Sequence, residues 1–240
     1  LPADTLAGMA GDLGSAELYE AKAQTYAAFG NGAIAGHALR LLPPGGRVLD
    51  VGCASGGLLA LLRPRAGYLA GLELSPTAAR AAGEIGDQVV CGALENRALP
   101  FEPDSFDLVV LADVLEHLTD PAAGLARAAA WCRPGGAVLV SVPNVAHWHA
   151  RLTLLRGRWP QEASGTFDAS HLRWFTRGSL QALLRAAGLH DVELDAIVPA
   201  LRNHLGSARL VRGAEPAWQA LGRRAPGLLG YQVVGIGRRA

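Results

Sequence analysis

Short apolar runs and Ala/Leu-rich helical patterns take turns along most of this chain, and Gly or Pro marks most of the exchanges. Residues 1–14 are Gly/Ala-rich and read as loose. Residues 15–42 read as a helix, with Leu18, Tyr19, Tyr26, Phe29, Ile34 and Leu39 set among Ala, and Pro43-Pro44-Gly45-Gly46 stops it. A strand over 47–51 follows, then a helix near 57–63. A second strand, Gly67 to Leu74, carries Glu73 near its end. Ser75-Pro76 opens the next helix, with Ser as N-cap and Pro at the first helical position. Further strands are expected over Gln88–Cys91, Phe106–Leu111 and Ala137–Val142. A turn at Pro100–Ser105 and a helix over Pro121–Cys132 separate them. This alternation predicts a mostly parallel sheet covered on both faces by helices.

Residues 143–175 break the rhythm. Pro143, Asn144, His147, Trp148, His149, Trp159, His171, Trp174 and Phe175 crowd into them, which suggests an inserted wall beside a site. Helical spacing resumes at Thr176–Ala187, Gly188 ends it, and a strand lies near Asp191–Ile197. Residues 199–225 read as irregular, partly helical and Arg-containing, before a last strand over Tyr231–Gly237. The chain is read as one domain, 1–240, with an N-terminal helical cover (1–44), a ligand-binding core (45–142), an insert (143–175) and a C-terminal part (176–240) holding a second irregular insert.

Composition narrows the picture. The 240 residues are 50% hydrophobic and 18% charged, which argues against disorder. A net charge of +1 gives no electrostatic case for nucleic acid or an anionic surface as partner, although Arg151, Arg156, Arg158, Arg202, Arg209 and Arg212 would make a local basic rim. Cys53, Cys91 and Cys132 show neither a disulfide framework nor zinc spacing, which suits a reducing, cytoplasmic setting. No apolar run is long enough to span a membrane. No basic segment with an apolar run opens the chain, so no signal peptide is expected. The chain does not begin with Met, which leaves a removed leader open. A homodimer is also left open.

The candidate chemistry starts at Val48-Leu49-Asp50-Val51-Gly52-Cys53-Ala54-Ser55-Gly56-Gly57, where an apolar strand gives way to small residues and then to a helix. Small residues let a ligand approach the backbone, and a helix start offers unpaired N–H groups. Glu73 ends the next strand, where a carboxylate would accept from two vicinal ribose hydroxyls. The turn lacks the G-x-G-x-x-G of dinucleotide sites and the Lys of a phosphate loop.

This turn resembles motif I of class I S-adenosylmethionine-dependent methyltransferases. Further stretches agree in order: Glu73; Leu99-Pro100-Phe101 with Asp104-Ser105-Phe106-Asp107; Asp113-Val114-Leu115-Glu116-His117-Leu118; Arg133-Pro134-Gly135-Gly136; and Ser141-Val142-Pro143-Asn144. The resemblance covers residues 45–145 strongly. Through Gly165–Thr176 and on to the end it is weaker, typical of a bacterial small-molecule subgroup. It implies a three-layer Rossmann-like α/β fold with seven mostly parallel strands, the last one antiparallel. It implies S-adenosyl-L-methionine as cofactor, with Asp50 and the backbone of Gly52, Cys53, Ala54 and Gly56 at the methionine moiety. Glu73 and Leu74 would lie at the ribose, Ala93 and Leu94 at the adenine, and Leu111, Ala112, Asp113 and His117 at the amino-acid end. Two departures stand out. Ala93 occupies a position that is often Asp, and Ala54 one that is usually Gly, which matters if φ there is positive.

Methyl transfer from a sulfonium asks mainly for alignment, plus a base where the acceptor is a hydroxyl. His147, His171 and His117 are the candidate bases, each also readable as a structural histidine. Asp113, Glu116 and His117, at i, i+3 and i+4, would share one helix face. They resemble the Glu-x-x-Glu-His set that binds a divalent ion in quinone and small-RNA methyltransferases. We expect no metal, with Mg²⁺ or Zn²⁺ on these three residues as the alternative. Trp148, Trp159, Trp174 and Phe175 are either an acceptor wall or the insert's own core. The expected reaction is O-methylation of a small molecule such as a sugar, quinone or secondary metabolite. The alternatives are a metal-assisted catechol or ribose-hydroxyl methyltransferase, an N- or S-methyltransferase, and a non-catalytic cofactor-binding subunit.

Overall fold

The computed structural model describes residues 31–96, 98–201 and 209–240. The first half of the predicted N-terminal helix, with Tyr19 and Tyr26, lies outside them, as do Arg202 and His204. Elements follow in the order α1 (Asn31–Leu41), β1 (Gly46–Val51), α2 (Gly57–Leu62), β2 (Ala66–Glu73), α3 (Pro76–Gly83), β3 (Gln88–Cys91), β4 (Phe106–Ala112), α4 (Pro121–Trp131) and β5 (Cys132–Pro143). Then come α5 (Trp148–Leu155), α6 (Arg177–Ala186), β6 (Leu189–Ile197), α7 (Arg209–Arg224), α8 (Pro226–Leu229) and β7 (Gln232–Arg239).

The strands form one seven-stranded sheet in the order β3-β2-β1-β4-β5-β7-β6. Each neighbouring pair from β3 to β5 is parallel, while β7 runs antiparallel to both β5 and β6. The order reverses between β1 and β4. Sheets of this kind bind ligands at the carboxyl ends of the strands, beside such a reversal.

The two-residue period of the strands builds two cores. Val48, Leu69, Leu108, Val110, Leu139 and Val234 face Ile34 and Ala38 of α1 and Leu58, Leu59 and Leu62 of α2. Leu49, Leu72, Val109, Leu111, Val138 and Val140 face Leu125 and Ala128 of α4 and Leu180 and Leu184 of α6. Both faces of the central strands are therefore apolar, which is why β4 and β5 read as continuous hydrophobic runs. At α3, Ser75 Oγ accepts from the Ala78 N–H at 3.1 Å, and Pro76 begins the helix.

Three boundaries differ from the sequence reading. The fifth strand starts at Cys132, because the β4–β5 register slips between Phe106 and Leu108 and the bulge takes up Pro134-Gly135-Gly136. The segment read as irregular and only partly helical over 199–225 holds a 16-residue helix, α7, with Pro216 inside it. Pro and Gly in that stretch hid its helical period. The Asp113–His117 block is not a regular helix but a single 3-10 turn over Leu115–His117. Among the described residues, no helix is long and apolar enough to cross a membrane.

Asn144 ties the end of β5 to the turn before β7. Its buried amide donates to Gly230 O at 2.8 Å and Gly227 O at 3.1 Å, and its Oδ1 accepts from the Ala146 N–H at 3.0 Å. Truncating it strands the buried Gly230 carbonyl and the half-buried Gly227 carbonyl and Ala146 N–H. Asn144→Ala should therefore cost roughly 2–4 kcal/mol, read as a lower urea midpoint with an unchanged slope.

Candidate active site

The turn after β1 is held by its own chain. The Gly52 and Cys53 N–H groups both donate to Leu72 O, at 2.7 and 3.1 Å, and the Gly56 N–H donates to Cys53 O at 2.9 Å. The Ala54 N–H donates to Glu73 Oε2 at 2.8 Å. These four N–H groups are thus spent inside the protein. What the glycines contribute is shape. Gly52 and Gly56 have φ of 74° and 84°, and a Cβ on Gly52 would lie 2.6 Å from the Val114 side chain. Ala54 also has positive φ, 46°, so the departure from Gly flagged in the sequence does carry strain.

Glu73 bridges two elements. Its Oε2 takes the Ala54 N–H and its Oε1 the Ser75 N–H, both at 2.8 Å. Each oxygen keeps lone-pair capacity toward the strand ends. Asp50, one residue before the end of β1, is buried, and desolvation together with the charge of Glu73 pushes its carboxyl up to about 8. Burial likewise pushes the Cys53 thiol up, so this cysteine is an inert wall.

Beyond β3, the Gly92 N–H donates to Glu73 O at 2.8 Å and Ala93 O accepts from the Asn96 N–H at 3.1 Å. Leu94 is buried in the core beside Leu118 and over Gly124, with Arg127 donating to its carbonyl at 3.0 Å. Its side chain thus packs on the protein rather than standing open to a ligand ring. Leu74 is half-buried, and Leu111 and Ala112 end β4 between β1 and β5.

Asp113 stands just past β4 with φ of 55°, so it cannot share a helix face with Glu116 and His117. Gln232 Nε2 donates to both of its carboxylate oxygens at 2.7 Å. Desolvation raises its carboxyl to about 6, while Gln232 and Ser141 pull in the opposite direction. Glu116 is buried, and neither of its carboxylate oxygens has a hydrogen-bond partner among the described residues. Burial, with the nearby charges of Asp113 and Asp168, raises its carboxyl well above the usual range. Instead of Asp113, it is His171 that joins Glu116 and His117, with one ligating atom from each within 4.8 Å of the others. The insert creates this meeting, since the N–H groups of Leu172 and Arg173 donate to Glu116 O at 2.8 and 3.0 Å. His117 Nδ1 lies 3.2 Å from Ser170 O, and Ser170 Oγ donates to Asp168 Oδ1 at 2.6 Å.

His147 is buried at the N-cap of α5, with the Tyr231 ring centre 5.8 Å from its own. The rings of His117 and His171 meet edge-on at 4.9 Å. Trp159 touches both Phe167 and Trp174, at 5.0 and 5.3 Å, as part of an aromatic cluster within the insert. Tyr231, Gln232, Asp168 and Ser170 were missed in the sequence. A signal was present for two of them: residues that open an antiparallel last strand lie at the carboxyl edge of its parallel neighbours.

A family model described as a methyltransferase domain matches residues 26–194. The chain is 30% identical over 162 residues to a ubiquinone biosynthesis O-methyltransferase of Idiomarina loihiensis, covering 64% of this chain and 65% of that protein. It is 33% identical over 165 residues to the protein of the same name in Ralstonia nicotianae, covering 62% and 65%. The match thus spans just under two thirds of those relatives. Among solved structures, an Archaeoglobus fulgidus SAM dependent methyltransferase superposes with a TM-score of 0.63 at 16% identity, covering 88% of this chain and 95% of that one. A Haemonchus contortus phosphoethanolamine N-methyltransferase, solved with S-adenosylhomocysteine, gives 0.56 at 20% identity, covering 87% and 52%. At these identities the structures speak to the fold.

Two stability outcomes follow from the turn. Ala54→Gly should stabilise the ligand-free chain by about 1 kcal/mol, as relief of left-handed strain outweighs the added chain entropy, measured by urea unfolding. Asp50 binds its proton more tightly folded than unfolded, so stability falls as pH rises from about 4 to about 8. Asp50→Asn should flatten that decline in thermal unfolding across the same window.

Proposed function

The chain belongs to the methyltransferase domain family, and from that premise we propose that it transfers a methyl group from S-adenosylmethionine to an oxygen of a small molecule. The observation that carries this reading is electrostatic. Asp50 near the end of β1, and Asp113 and Glu116 past the end of β4, all have their carboxyls held above the ordinary range by burial. Carboxyls that burial holds protonated ionise when a cation comes to rest beside them, so such a site favours a ligand carrying positive charge. S-adenosylmethionine brings two such charges, an ammonium and a sulfonium.

In this reading Asp50 faces the ammonium, and the shape of the Gly52–Gly56 turn lets the methionine moiety lie against the backbone. Glu73, already fixed by two N–H groups, accepts from the ribose hydroxyls. The main chain at Ala93 and Leu94 borders the adenine. The acceptor lies between the strand ends and the insert. Its hydroxyl oxygen attacks the methyl carbon in line with the sulfur, the C–S bond breaks with its electron pair leaving on sulfur, and the hydroxyl proton passes to an imidazole. His147 is the first candidate for that proton, with His171 and His117 behind it. The relatives' names make a quinone-precursor hydroxyl the first acceptor class to test. Three free cysteines suit a reducing compartment, and a cytoplasmic location goes with this reading.

One observation favours a second reading, in which a divalent ion assists. Glu116, His117 and His171 fit such an ion: they bring a carboxylate and two imidazoles together, and the carboxylate has no other partner among the described residues. They would hold the ion, which when bound would polarise an acceptor hydroxyl.

Calorimetry with S-adenosylhomocysteine should show Glu73→Ala binding ten- to a hundredfold more weakly, the worth of a charge-assisted hydrogen bond. Intact affinity would remove the ribose from Glu73. His147→Ala should leave that affinity unchanged and lower turnover of methyl-labelled S-adenosylmethionine by about a hundredfold or more. For the ion, Mn²⁺ should raise the melting temperature of the wild-type chain and leave Glu116→Gln unmoved. An equal rise in both would place the ion elsewhere.

A further inference from the structure

The end of α5 is an unusual surface. Leu155 is 83% exposed, and Leu152 and Leu154 beside it are also exposed. Trp159 and Trp174, in contact with each other at 5.3 Å, are 39% and 47% exposed, and Leu172 lies open on the same strap as Trp174. Arg151, Arg156, Arg158 and Arg173 are interspersed among them and exposed. Residues 145–161 contain no Asp or Glu, nor do residues 169–175. Water-facing Leu and Trp need a reason when they cluster, and here the charges interspersed among them are four arginines, with Glu162, three residues past Trp159, and Asp120, beside the Thr119 that Arg173 binds, as exposed carboxylates at the margin.

We propose that this surface docks on an anionic lipid membrane. Leu155, Leu154 and the two indoles would enter the headgroup boundary, where aromatic rings with a polar edge are favoured. The four guanidiniums would meet lipid phosphates, which attract juxtaposed cations at about a fivefold gain in binding each. A second copy of the chain is the less suited occupant, because identical surfaces would bring like charges face to face. The docking end is close to the site. His147 caps the start of α5 and Leu155 ends it, so the two are one short helix, about 12 Å, apart. The aromatic contacts from Trp159 to Phe167 and from Phe167 to His149 continue the apolar wall back toward that start. The arrangement suits an acceptor drawn from the bilayer, yet the docking itself needs no cofactor and stands apart from the methyl-transfer reading.

Co-sedimentation of the full chain with vesicles tests it directly, without cofactor. Equimolar phosphatidylglycerol and phosphatidylcholine should pull the protein down, pure phosphatidylcholine should not, and added salt should release it. Arg156→Gln with Arg158→Gln should weaken binding about 25-fold, at the fivefold per cation given above. Leu155→Glu should weaken it at least tenfold, with the melting temperature of each variant unchanged. Failure to bind anionic vesicles, equal binding to neutral ones, or variants that bind as the wild type does would each overturn the proposal. So would sedimentation equilibrium showing a dimer that Leu155→Glu dissolves.

Discussion

One carboxylate holds the site's frame. Glu73 takes an N–H from the turn after β1 and another from the start of α3, so β1, β2 and α3 are locked at the point where the sheet order reverses. The turn it holds is strained, with a non-glycine residue, Ala54, at φ 46°. A charge-assisted hydrogen bond to that very residue is worth more than the strain costs. With the turn fixed, the backbone of Gly52 can lie close under Val114, and the ends of β1 and β4 share one shallow floor.

That floor is unusually acidic for a buried place. Carboxylates lose hydration at Asp50, Asp113 and Glu116, and among the described residues only Asp113 gains a strong compensating clamp, from Gln232. Fully satisfied buried charges stabilise little, and unsatisfied ones destabilise. The arrangement makes sense as a site whose missing charge arrives with the ligand. The same deficit lets two readings coexist: a sulfonium cofactor would answer Asp50, and a divalent ion would answer Glu116.

The sheet was legible because its strands are buried on both faces and end in Gly, Pro or an N-cap, signals that local sequence carries. Glu73 was legible for the same reason, as the polar end of an apolar run. The His/acid cluster was not. Spacing alone put Asp113 beside Glu116 and His117, but the left-handed φ at Asp113 turned it toward Gln232, more than a hundred residues away in sequence. His171 took its place through a long-range pairing of the insert with the Glu116 carbonyl, which no local period encodes. Leu94 read as a ligand-facing residue because its role as a core side chain depends on Gly124, another element altogether.

The strand ends suit a positively charged methyl donor over a phosphate-bearing nucleotide. Titration calorimetry of the wild-type chain with S-adenosylmethionine, and separately with ATP, tests it most directly. S-adenosylmethionine should bind at one site in the micromolar range, and ATP should give no heat. ATP binding at comparable affinity, or no binding of S-adenosylmethionine at millimolar concentration, would contradict it.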